Sequence, residues 1–438
     1  MKNVSYSEAL FLLGNTRSNL FITGGAGTGK STLLREFAES NRAVILAPTG
    51  VAALNAGGMT IHSFFKFKLG VTPQTIEVND KLDNILKRVK TIVIDEVSMV
   101  RADIMDCIDQ ALKIAKDSIL PFGGIRMIFI GDLYQLSPVV QNFGCEKDMF
   151  NGTMLYDSPY FFSAKVFAKY DYIILNLTEV FRQTELMFVD ILNKIRVGDV
   201  NYKILHEINS RCFGNPQKDG IFLTSTNQVV SDINSNESNK LTGKEFSFTG
   251  ILTDDFNINN LPNDIDLSVK IGSRVMLLNN DRNSRWVNGS LGIVINIKTT
   301  LVEEWVEEDD TKYQIMVDKP CLIVKLNNGN IVEIPPYTWE SIKMYLCSKT
   351  DEVKSSVIGT FTQYPVKEAW AFTIHKSQGK TFDKISLMLD IRKPMYTPGQ
   401  LYVALSRATK IDGIRINRKL RMSDVVVDKR INEYFKES

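Results

Sequence analysis

The sequence has few cysteines and no long apolar segment. Its 438 residues include five cysteines and no Cys-x-x-Cys pair, which argues against a zinc site or a disulfide framework and favours a reducing compartment. No apolar run is long enough to cross a membrane, and the N-terminus lacks the charged and apolar regions of a signal peptide. These absences predict a soluble protein that does not use a membrane as a partner.

An excess of charge of either sign is also missing. Lysine and arginine number 52 and aspartate and glutamate 50, which leaves a formal net charge of +2. Net charge therefore neither supports nor excludes a nucleic-acid partner, and only local patches could do so. Hydrophobic residues make up 44% of the chain, enough for the cores of two or more domains.

The most informative segment present is Gly24–Ser31, which reads GGAGTGKS. It follows an apolar run, Leu20–Thr23, and leads into residues with helical spacing. A strand, a glycine-rich loop and Lys-Ser at a helix start are typical of the phosphate-binding loop of nucleoside triphosphatases. The alternative is a glycine turn that caps a helix, and the flanking pattern disfavours it. We predict nucleotide contacts from Gly24, Gly25, Ala26, Gly27, Thr28, Gly29, Lys30, Ser31 and Thr32.

Within this loop, Lys30 is expected to reach the β- and γ-phosphates of ATP, and Ser31 to hold Mg²⁺. A second apolar segment, Thr91–Met99, contains adjacent carboxylates. Asp95 is expected to bind the same Mg²⁺, and Glu96 to polarise the attacking water. On its own this pair fits a helix cap equally well, and the phosphate-binding loop upstream favours the catalytic interpretation.

The hydrophobic pattern predicts an α/β fold with parallel strands in its first part. A second α/β region begins at Ile221. Between Val269 and Val366 the pattern changes to short strands and turns, which suggests a small inserted β-barrel. Strands are predicted at 20–23, 43–47, 91–94, 126–130 and 172–177. Asn288-Gly289 and Asn328-Gly329 are hairpin signals, and the acidic run Glu303–Asp310 is expected to be a solvated hairpin tip.

Further motifs follow in a fixed order: APTGVAALNAGG, TIHSFF, PFGGIRMIFIGDLYQLSPV, LTEVFRQ, AFTIHKSQGKTFD and LYVALSRAT. This series resembles superfamily 1 helicases, most of all the PIF family of 5′-to-3′ DNA helicases in group B, as a minimal bacterial or phage-type member. The resemblance covers about residues 18 to 415.

The resemblance implies two RecA-like parallel-sheet motor domains with an SH3-like β-barrel inserted in the second. We place the first motor at residues 1–178, with a small wedge-like insertion at about 64–86. The second motor then comprises residues 179–287 and 364–438, and the barrel residues 288–363.

The resemblance also implies roles for residues outside the phosphate-binding loop. Gln135 would sense the γ-phosphate. Arg182 and Arg407, contributed by the second motor, would clamp the charge of the transition state. Gln378 and Gly379 match a loop that contacts both nucleotide and DNA phosphate. We expect Arg407 to lie on a helix that begins near Pro398, and the predicted catalytic set is Lys30, Glu96, Gln135, Arg182 and Arg407.

DNA contacts are predicted from motifs in both motors. Two of the three histidines lie in matching Thr-Ile-His strings, which suggests paired strand-gripping sites whose hydroxyl and imidazole groups suit phosphate oxygens. The segment HSFFKFKLG either stacks bases or forms a strand with one buried face, and the sequence leaves both open. The predicted DNA-binding residues are Pro48, Thr49, Gly50, Thr60, His62, Phe64, Thr373, His375 and Lys376.

We therefore predict an ATP- and Mg²⁺-dependent helicase that moves 5′ to 3′ on single-stranded DNA and unwinds forked or structured DNA in replication, repair, recombination or telomere-type maintenance. G-quadruplexes and RNA–DNA hybrids are further candidate substrates. An RNA helicase and an ATP-gated single-strand-binding or remodelling factor remain alternatives. The first glutamine is Gln74, so the adenine-reading glutamine of many relatives is missing and nucleotide choice is expected to be relaxed. We expect a monomer, with dimerisation on DNA left open, in the bacterial cytoplasm or, in a eukaryote, the nucleus or mitochondrion.

Overall fold

The protein is described by a computed structural model. It covers residues 1–437 except 41, 69–70, 79, 139, 141–154, 184, 218, 255, 257, 259–260, 282, 284, 309–310 and 348–351. Among these residues, no helix combines the length and apolar character that a bilayer crossing requires.

The first half of the chain builds a seven-stranded parallel sheet. The strands are β1 (Lys2–Val4), β2 (Leu20–Gly24), β3 (Val44–Ala47), β4 (Met59–Thr60), β5 (Thr91–Ile94), β6 (Arg126–Ile130) and β7 (Ile173–Leu177). All five predicted strands of this part are confirmed. The order across the sheet is β1-β7-β2-β6-β5-β3-β4, so β2, which carries the phosphate-binding loop, lies in the interior of the sheet.

Helices cover both faces of this sheet because its central strands are apolar on both sides. They are α1 (Tyr6–Asn15), α2 (Lys30–Ser40), α3 (Gly50–Ala56), α4 (Ile61–Phe65), α5 (Asp80–Arg88) and α6 (Ala102–Lys116). Two further helices, α7 (Leu186–Val197) and α8 (Tyr202–Cys212), follow β7, and α9 (Asn227–Asn239) follows β8 (Ile221–Thr224).

A β-rich region interrupts the second α/β unit. Here the predicted short strands are wrong in length, because two long antiparallel hairpins form. They pair Leu291–Glu308 with Thr311–Leu326 and Tyr337–Cys347 with Glu352–Gln363. The strands are β9 (Glu245–Thr249), β10 (Ile251–Asp254), β11 (Asp266–Lys270), β12 (Arg274–Leu277), β13 (Leu291–Glu308), β14 (Thr311–Leu326), β15 (Ile331–Ile334), β16 (Tyr337–Cys347), β17 (Glu352–Gln363) and β18 (Val366–Glu368).

Strand pairing joins this region across the boundary predicted at residue 288. β12 pairs with β13 and β18, and β10 pairs with β17. The Asn328-Gly329 signal is confirmed as the turn between β14 and β15, whereas Asn288-Gly289 lies in a longer connection between β12 and β13. The acidic run ends the β13–β14 hairpin, and residues 309–310 at its tip lie outside the described residues. The domain bounds and the SH3-like class of the insertion stay predictions.

The second parallel sheet has the order β19-β8-β20-β21, with β19 (Ala371–Thr373), β20 (Ile385–Met388) and β21 (Ile414–Ile416) contributed after the insertion. Its core also packs α10 (Gln400–Leu405). The last helix, α11 (Lys429–Glu437), does not join this sheet. Ile431 is buried in the core of the first sheet, and Tyr434 stacks on Phe162 with ring centres 4.3 Å apart.

Candidate nucleotide site and DNA track

The phosphate-binding loop turns sharply from β2 into α2. Gly27 and Gly29 have φ values of 82° and 83°, a left-handed conformation that glycine adopts without strain. A Cβ atom on Gly27 would lie 2.5 Å from Cβ of Arg182. Only glycine therefore fits at this position, where the loop contacts the segment after β7. The backbone N–H of Phe181 donates to the Gly27 carbonyl at 2.8 Å and fixes this approach.

Lys30 begins α2, and its ammonium group folds back over the loop. Nζ donates to the carbonyl oxygens of Gly24 and Gly25 at 2.8 and 2.9 Å. Burial lowers the pKa of Lys30 to about 8, although the charges of Asp132 and Glu96 raise it. A desolvated cation held by carbonyl groups suits an additional anion such as a polyphosphate.

Asp95 and Glu96 follow β5 at the same edge of the sheet. The backbone N–H of Asp95 donates to the Leu46 carbonyl at 2.8 Å. Glu96 has φ 49° and ψ 42°, a left-handed conformation that costs a non-glycine residue about 1–3 kcal/mol and that often marks functional sites. Burial raises the pKa of both carboxyl groups, and each sits within range of Lys30.

Arg407 is the largest fully buried side chain of the described residues. Its guanidinium group donates to the Val403 carbonyl at 2.9 Å and to the Lys380 carbonyl at 3.1 Å. Burial, together with the charge of the nearby Arg182, lowers the pKa of Arg407 to about 9. The expectation that Arg407 lies on a helix is wrong, because α10 ends at Leu405, two residues earlier.

Arg182 approaches the same cluster from the segment after β7. Its guanidinium nitrogens lie 3.4 Å from the Ser406 carbonyl and 3.5 Å from the Gly379 carbonyl. Burial lowers the pKa of Arg182, whereas the charge of Glu96 raises it. The structure thus brings Lys30, Glu96, Arg182 and Arg407 into one cluster between the two sheets.

Sequence reasoning missed Tyr402, which lies in this cluster on α10. Its hydroxyl accepts the backbone N–H of Ala26, in the phosphate-binding loop, at 2.6 Å. The same hydroxyl donates to Asp132 Oδ2 at 3.2 Å. Burial raises the pKa of Tyr402 above its ordinary value. The motif LYVALSRAT contains Tyr402, but one sequence cannot show which of its side chains faces the loop.

Asp132 and Arg196 form a buried ion pair that sequence reasoning also missed. Arg196, on α7, donates to Asp132 Oδ1 from Nη2 at 2.8 Å and from Nε at 3.1 Å. Burial alone would raise the pKa of Asp132, but Arg196 and Lys30 hold it below its ordinary value. Asp132 follows β6 in the string GDLYQL. Its position directly after a strand was the one sequence signal that could have indicated a site residue here.

Gln135 and Gln378, which were predicted separately, meet directly. The amide nitrogen of Gln378 donates to Gln135 Oε1 at 3.1 Å. Gln183, another residue that was missed, is buried and donates from Nε2 to the carbonyls of Ser406 and Ala408 at 3.1 and 3.2 Å. These contacts connect the segments that follow the strands of the two sheets.

The two Thr-Ile-His strings have matching geometry. Thr60 ends β4 and accepts the Ser63 N–H at 3.2 Å, and Thr373 ends β19 and accepts the Lys376 N–H at 3.2 Å. β4 and β19 are edge strands of their sheets. The repetition noted in the sequence therefore corresponds to equivalent strand ends in the two α/β units.

The predicted DNA residues differ in exposure. His375 and Lys376 are exposed and His62 is half-buried. Thr49 caps α3 by accepting the Ala52 N–H at 3.3 Å. Of the remaining predicted positions, Pro48 and Gly50 flank Thr49, and Ser31 and Thr32 are exposed at the start of α2.

Phe64 is a correction. Its side chain is 4% exposed and packs in the core of the first unit, with its ring centre 5.0 Å from that of Phe65. A ring already covered by core side chains cannot stack on a base. The alternative of a strand with one buried face is wrong, because Ile61–Phe65 form the short helix α4.

The cluster fits a nucleoside triphosphate with a divalent cation. Burial is the largest cause that lowers the pKa of Lys30, Arg182 and Arg407, so these cations lie together out of water. Burial likewise raises the pKa of Asp95 and Glu96, although the charge of Lys30 lowers both. Desolvated cations beside a phosphate-binding loop suit the oxygens of a phosphate group, and two adjacent buried carboxylates suit a metal ion.

Such a composite site between two parallel-sheet units defines an ATPase motor of the helicase type. Comparison with known proteins identifies the family. The model of the PIF1-like helicase family matches residues 8–204, and that of the viral superfamily 1 RNA helicase core domain matches residues 324–414. The ATP-dependent DNA helicase Pif1 of Campylobacter jejuni is 30% identical over 428 residues, covering 91% of this chain and 88% of that protein.

Solved structures of Pif1 helicases are also similar to this chain. Pif1 from a Bacteroides species in complex with ADP-AlF4 has a TM-score of 0.85 at 32% identity, covering 99% of this chain and 96% of that one. The same helicase bound to single-stranded DNA has a TM-score of 0.66 with the same identity and coverage. The chain belongs to the Pif1 helicase family, and its two α/β units are the RecA-like motor domains of that family.

Proposed function

We propose that the protein is an ATP-dependent DNA helicase that moves 5′ to 3′ along single-stranded DNA and separates duplex DNA ahead of it. The observation that carries this proposal is the composite cluster, in which Lys30 and Glu96 belong to one motor and Arg407 to the other. A site built from two bodies is complete only when they close, so hydrolysis can drive relative motion.

In this proposal Lys30 and the loop N–H groups bind the β- and γ-phosphates of ATP. Glu96 orients the attacking water and accepts its proton, and Arg182 and Arg407 stabilise the charge that develops on the γ-phosphoryl group. Ser31 and Asp95 would hold Mg²⁺, which supplies charge neutralisation on the phosphate oxygens when it is bound. Gln135 senses the γ-phosphate and transmits its presence through Gln378.

Gln378 is well placed for this transmission because it lies five residues after Thr373. The loop that contacts Gln135 is therefore continuous with one of the two equivalent strand ends. We propose that these strand ends, with Thr60 and His62 in one motor and Thr373 and His375 in the other, grip phosphates of one strand. Closure would shorten the distance between the grips, and alternate release would produce a step.

The comparisons support a rearrangement when a DNA strand binds. For the Bacteroides helicase, the TM-score against this chain is 0.85 with ADP-AlF4 alone and 0.66 with single-stranded DNA, at equal sequence identity. Since the sequence identity and coverage are equal, we attribute the difference in TM-score to a different arrangement of that helicase's parts. We infer that this chain also rearranges when a strand binds.

ATP hydrolysis measured with and without nucleic acid tests the proposal. The rate should be low alone, rise strongly with single-stranded DNA, and rise less with RNA of the same length. A basal rate equal to the DNA-stimulated rate would exclude coupling. Stronger stimulation by RNA would favour the RNA helicase reading, toward which the viral RNA helicase match at residues 324–414 points.

A further inference from the structure

The second motor carries a concentration of exposed cations away from its Thr-Ile-His site. Two segments contribute, residues 389–396 after β20 and residues 417–424 after β21. Their exposed charged side chains include four cations and a single carboxylate, Asp390. We call Arg392, Lys393, Tyr396, Lys419 and Arg421 the basic rim. The charge matters because the whole chain has a net charge of only +2.

The rim is held rigidly by a buried ion pair. Arg418 and Asp424 are 8% and 0% exposed in their side chains, and two hydrogen bonds of 2.7 Å join them. Arg418 also donates to the carbonyls of Asp390 and Lys393 at 2.7 and 3.2 Å, which ties the first segment to the second. Burial alone would raise the pKa of Asp424, but Arg418 holds it below its ordinary value.

Additional bonds fix the backbone that presents the cations. Asp390 Oδ1 accepts the N–H groups of Arg392 and Lys393 at 2.8 and 3.1 Å, so this carboxylate is occupied locally. Arg421 Nη2 donates to the Ile391 carbonyl at 3.0 Å and joins the two segments at the surface. A preorganised loop loses little conformational entropy when it binds a ligand.

Aromatic groups accompany these cations. Tyr396 is 71% exposed, and Phe213, which is 50% exposed, lies with its ring centre 5.8 Å from Lys419 Nζ. Cations that follow a backbone and exposed rings that accept bases are the combination found in single-strand binding surfaces. A duplex hides its base faces, so exposed rings favour a single strand over a double helix.

The position of the basic rim would let one DNA strand contact both the rim and the Thr-Ile-His site of the second motor. β19, β8, β20 and β21 are parallel, so Thr373 and both rim segments lie at the carboxyl edge of one sheet. β19 and β21 are its two outer strands, about 14 Å apart at ordinary strand spacing. A strand gripped at Thr373 and His375 therefore needs only a short extension to reach the rim.

We propose that the basic rim is a second single-stranded DNA site, which binds the part of the strand that lies outside the grip between the motors. This proposal rests on the proposed DNA track, and it adds a contact that strands too short to leave that track cannot make. The rim would increase affinity and retention on long strands without taking part in ATP chemistry.

Binding of oligo-dT of about 8 and about 24 nucleotides tests the proposal. The rim variant is Arg392→Gln/Lys393→Gln/Lys419→Gln, which keeps Arg421 and its bond to Ile391. The control variant is Lys169→Gln/Lys203→Gln/Lys410→Gln, which removes equal charge from exposed lysines elsewhere. We expect the rim variant to bind the long strand at least about tenfold more weakly. The slope of the logarithm of affinity against the logarithm of salt concentration should be smaller in magnitude by about two.

The short strand should bind the rim variant and the control as it binds the wild type, and it should stimulate their ATPase equally. Tyr396→Ala should weaken binding of the long strand at least about fivefold and leave the short strand unaffected. Three results for the rim variant would each refute the basic rim as a single-strand site. They are an equal loss of affinity for both strand lengths, unchanged affinity for both, and a loss of affinity for a 24-base-pair duplex alone. Failure of the wild type to bind either strand would instead refute the DNA track.

Discussion

At the scale of single residues, the main feature is a set of opposite charges that the fold buries without pairing them fully. Glu96 is held in a left-handed backbone conformation, and its carboxyl group faces cations from both motors. Such an arrangement costs stability, and it is retained where a bound ligand completes the charge balance.

The Glu96→Gln variant should retain ATP and DNA binding and lose hydrolysis. The amide keeps the shape of the side chain but cannot accept the proton of the attacking water. We expect the DNA-stimulated turnover to fall by at least about a hundredfold. Glu8→Gln, a change on α1 at a half-exposed side chain that pairs with Lys2, is the control and should turn over normally. Turnover within tenfold of the wild type would remove Glu96 from the role of general base.

Lys380 provides a test by pH. Burial lowers its pKa to about 8, below the ordinary value of 10.5, and Nζ donates to Asn288 Oδ1 at 3.3 Å. Between these two values the unfolded chain binds more protons than the folded one, so this group adds stability as the pH rises through the window. The melting temperature of Lys380→Met should therefore be higher than that of the wild type at pH 7, and the difference between the two should become smaller towards pH 10.

Lys384→Met is the matched control, because Lys384 is an exposed lysine in a surface pair with Asp219. The change of the Lys380→Met difference with pH is measured against that of this control. A Lys380→Met difference that is constant from pH 7 to pH 10 would contradict the burial of the Lys380 charge.

The sequence was sufficient for residues whose chemistry is local. The glycines and Lys30 of the phosphate-binding loop, and Asp95-Glu96 after a strand, were predicted because spacing alone places them. Tyr402 and Arg196 were not, since each reaches the site from a helix far along the chain. Phe64 was wrong because an aromatic residue in a motif has the same pattern whether it faces DNA or the core.

At the scale of elements, apolar strands flanked by helices were predictable, and long polar hairpins were not. The alternation of apolar and polar residues in β13 and β14 is interrupted by the acidic run, so the sequence pattern indicated short strands. In the structure, the backbone pairing of β13 with β14 continues from Gly292 to Glu308. Backbone pairing holds these strands together beyond the part in which side-chain alternation is visible.

Shortening the β13–β14 hairpin should separate unwinding from hydrolysis. Lys298 pairs with Cys321, so an Asn-Gly turn between them would replace residues 299–320 without removing a strand of the five-stranded sheet. We expect DNA-stimulated ATP turnover within about twofold of the wild type and slower separation of a 5′-tailed duplex. Unwinding at the wild-type rate would show that the hairpin end has no part in strand separation.

The position of α11 was also beyond the sequence, because nothing in a nine-residue amphipathic pattern shows which domain it covers. It follows the second motor and completes the core of the first. Tyr134 Oη donates to Asn432 Oδ1 at 2.7 Å, which adds a polar contact to the apolar one. The helix thus connects the end of the chain to the motor that carries the phosphate-binding loop.

Ile431→Ala should destabilise the first motor although it lies near the C-terminus. Ile431 is 1% exposed, and removing a buried isoleucine side chain costs about 2–5 kcal/mol. Denaturant unfolding followed by ATP-analogue binding measures the effect. Glu433→Ala, an exposed change in the same helix, should alter stability by less than about 0.5 kcal/mol. Equal effects of the two changes would argue against a core position for α11.

At the scale of the whole molecule, the proposed function couples three events, which are ATP binding between the two motors, detection of the γ-phosphate by Gln135 and the grip on DNA. The contact that would join them is the hydrogen bond between Gln378 and Gln135, because Gln378 lies five residues after Thr373, at one of the two equivalent strand ends. In this proposal, closing the nucleotide site changes the distance between the two strand ends. A bonded network of this kind would be the physical basis of the proposed movement along DNA.

The most direct test is the unwinding of 5′-tailed and 3′-tailed DNA duplexes by the wild type and by Glu96→Gln with ATP and Mg²⁺. We expect the wild type to separate the 5′-tailed duplex, to leave the 3′-tailed duplex paired, and to require ATP. We expect Glu96→Gln to bind both duplexes and to separate neither. Preferential separation of the 3′-tailed duplex, or ATP turnover on DNA without separation of either duplex, would contradict the proposed function.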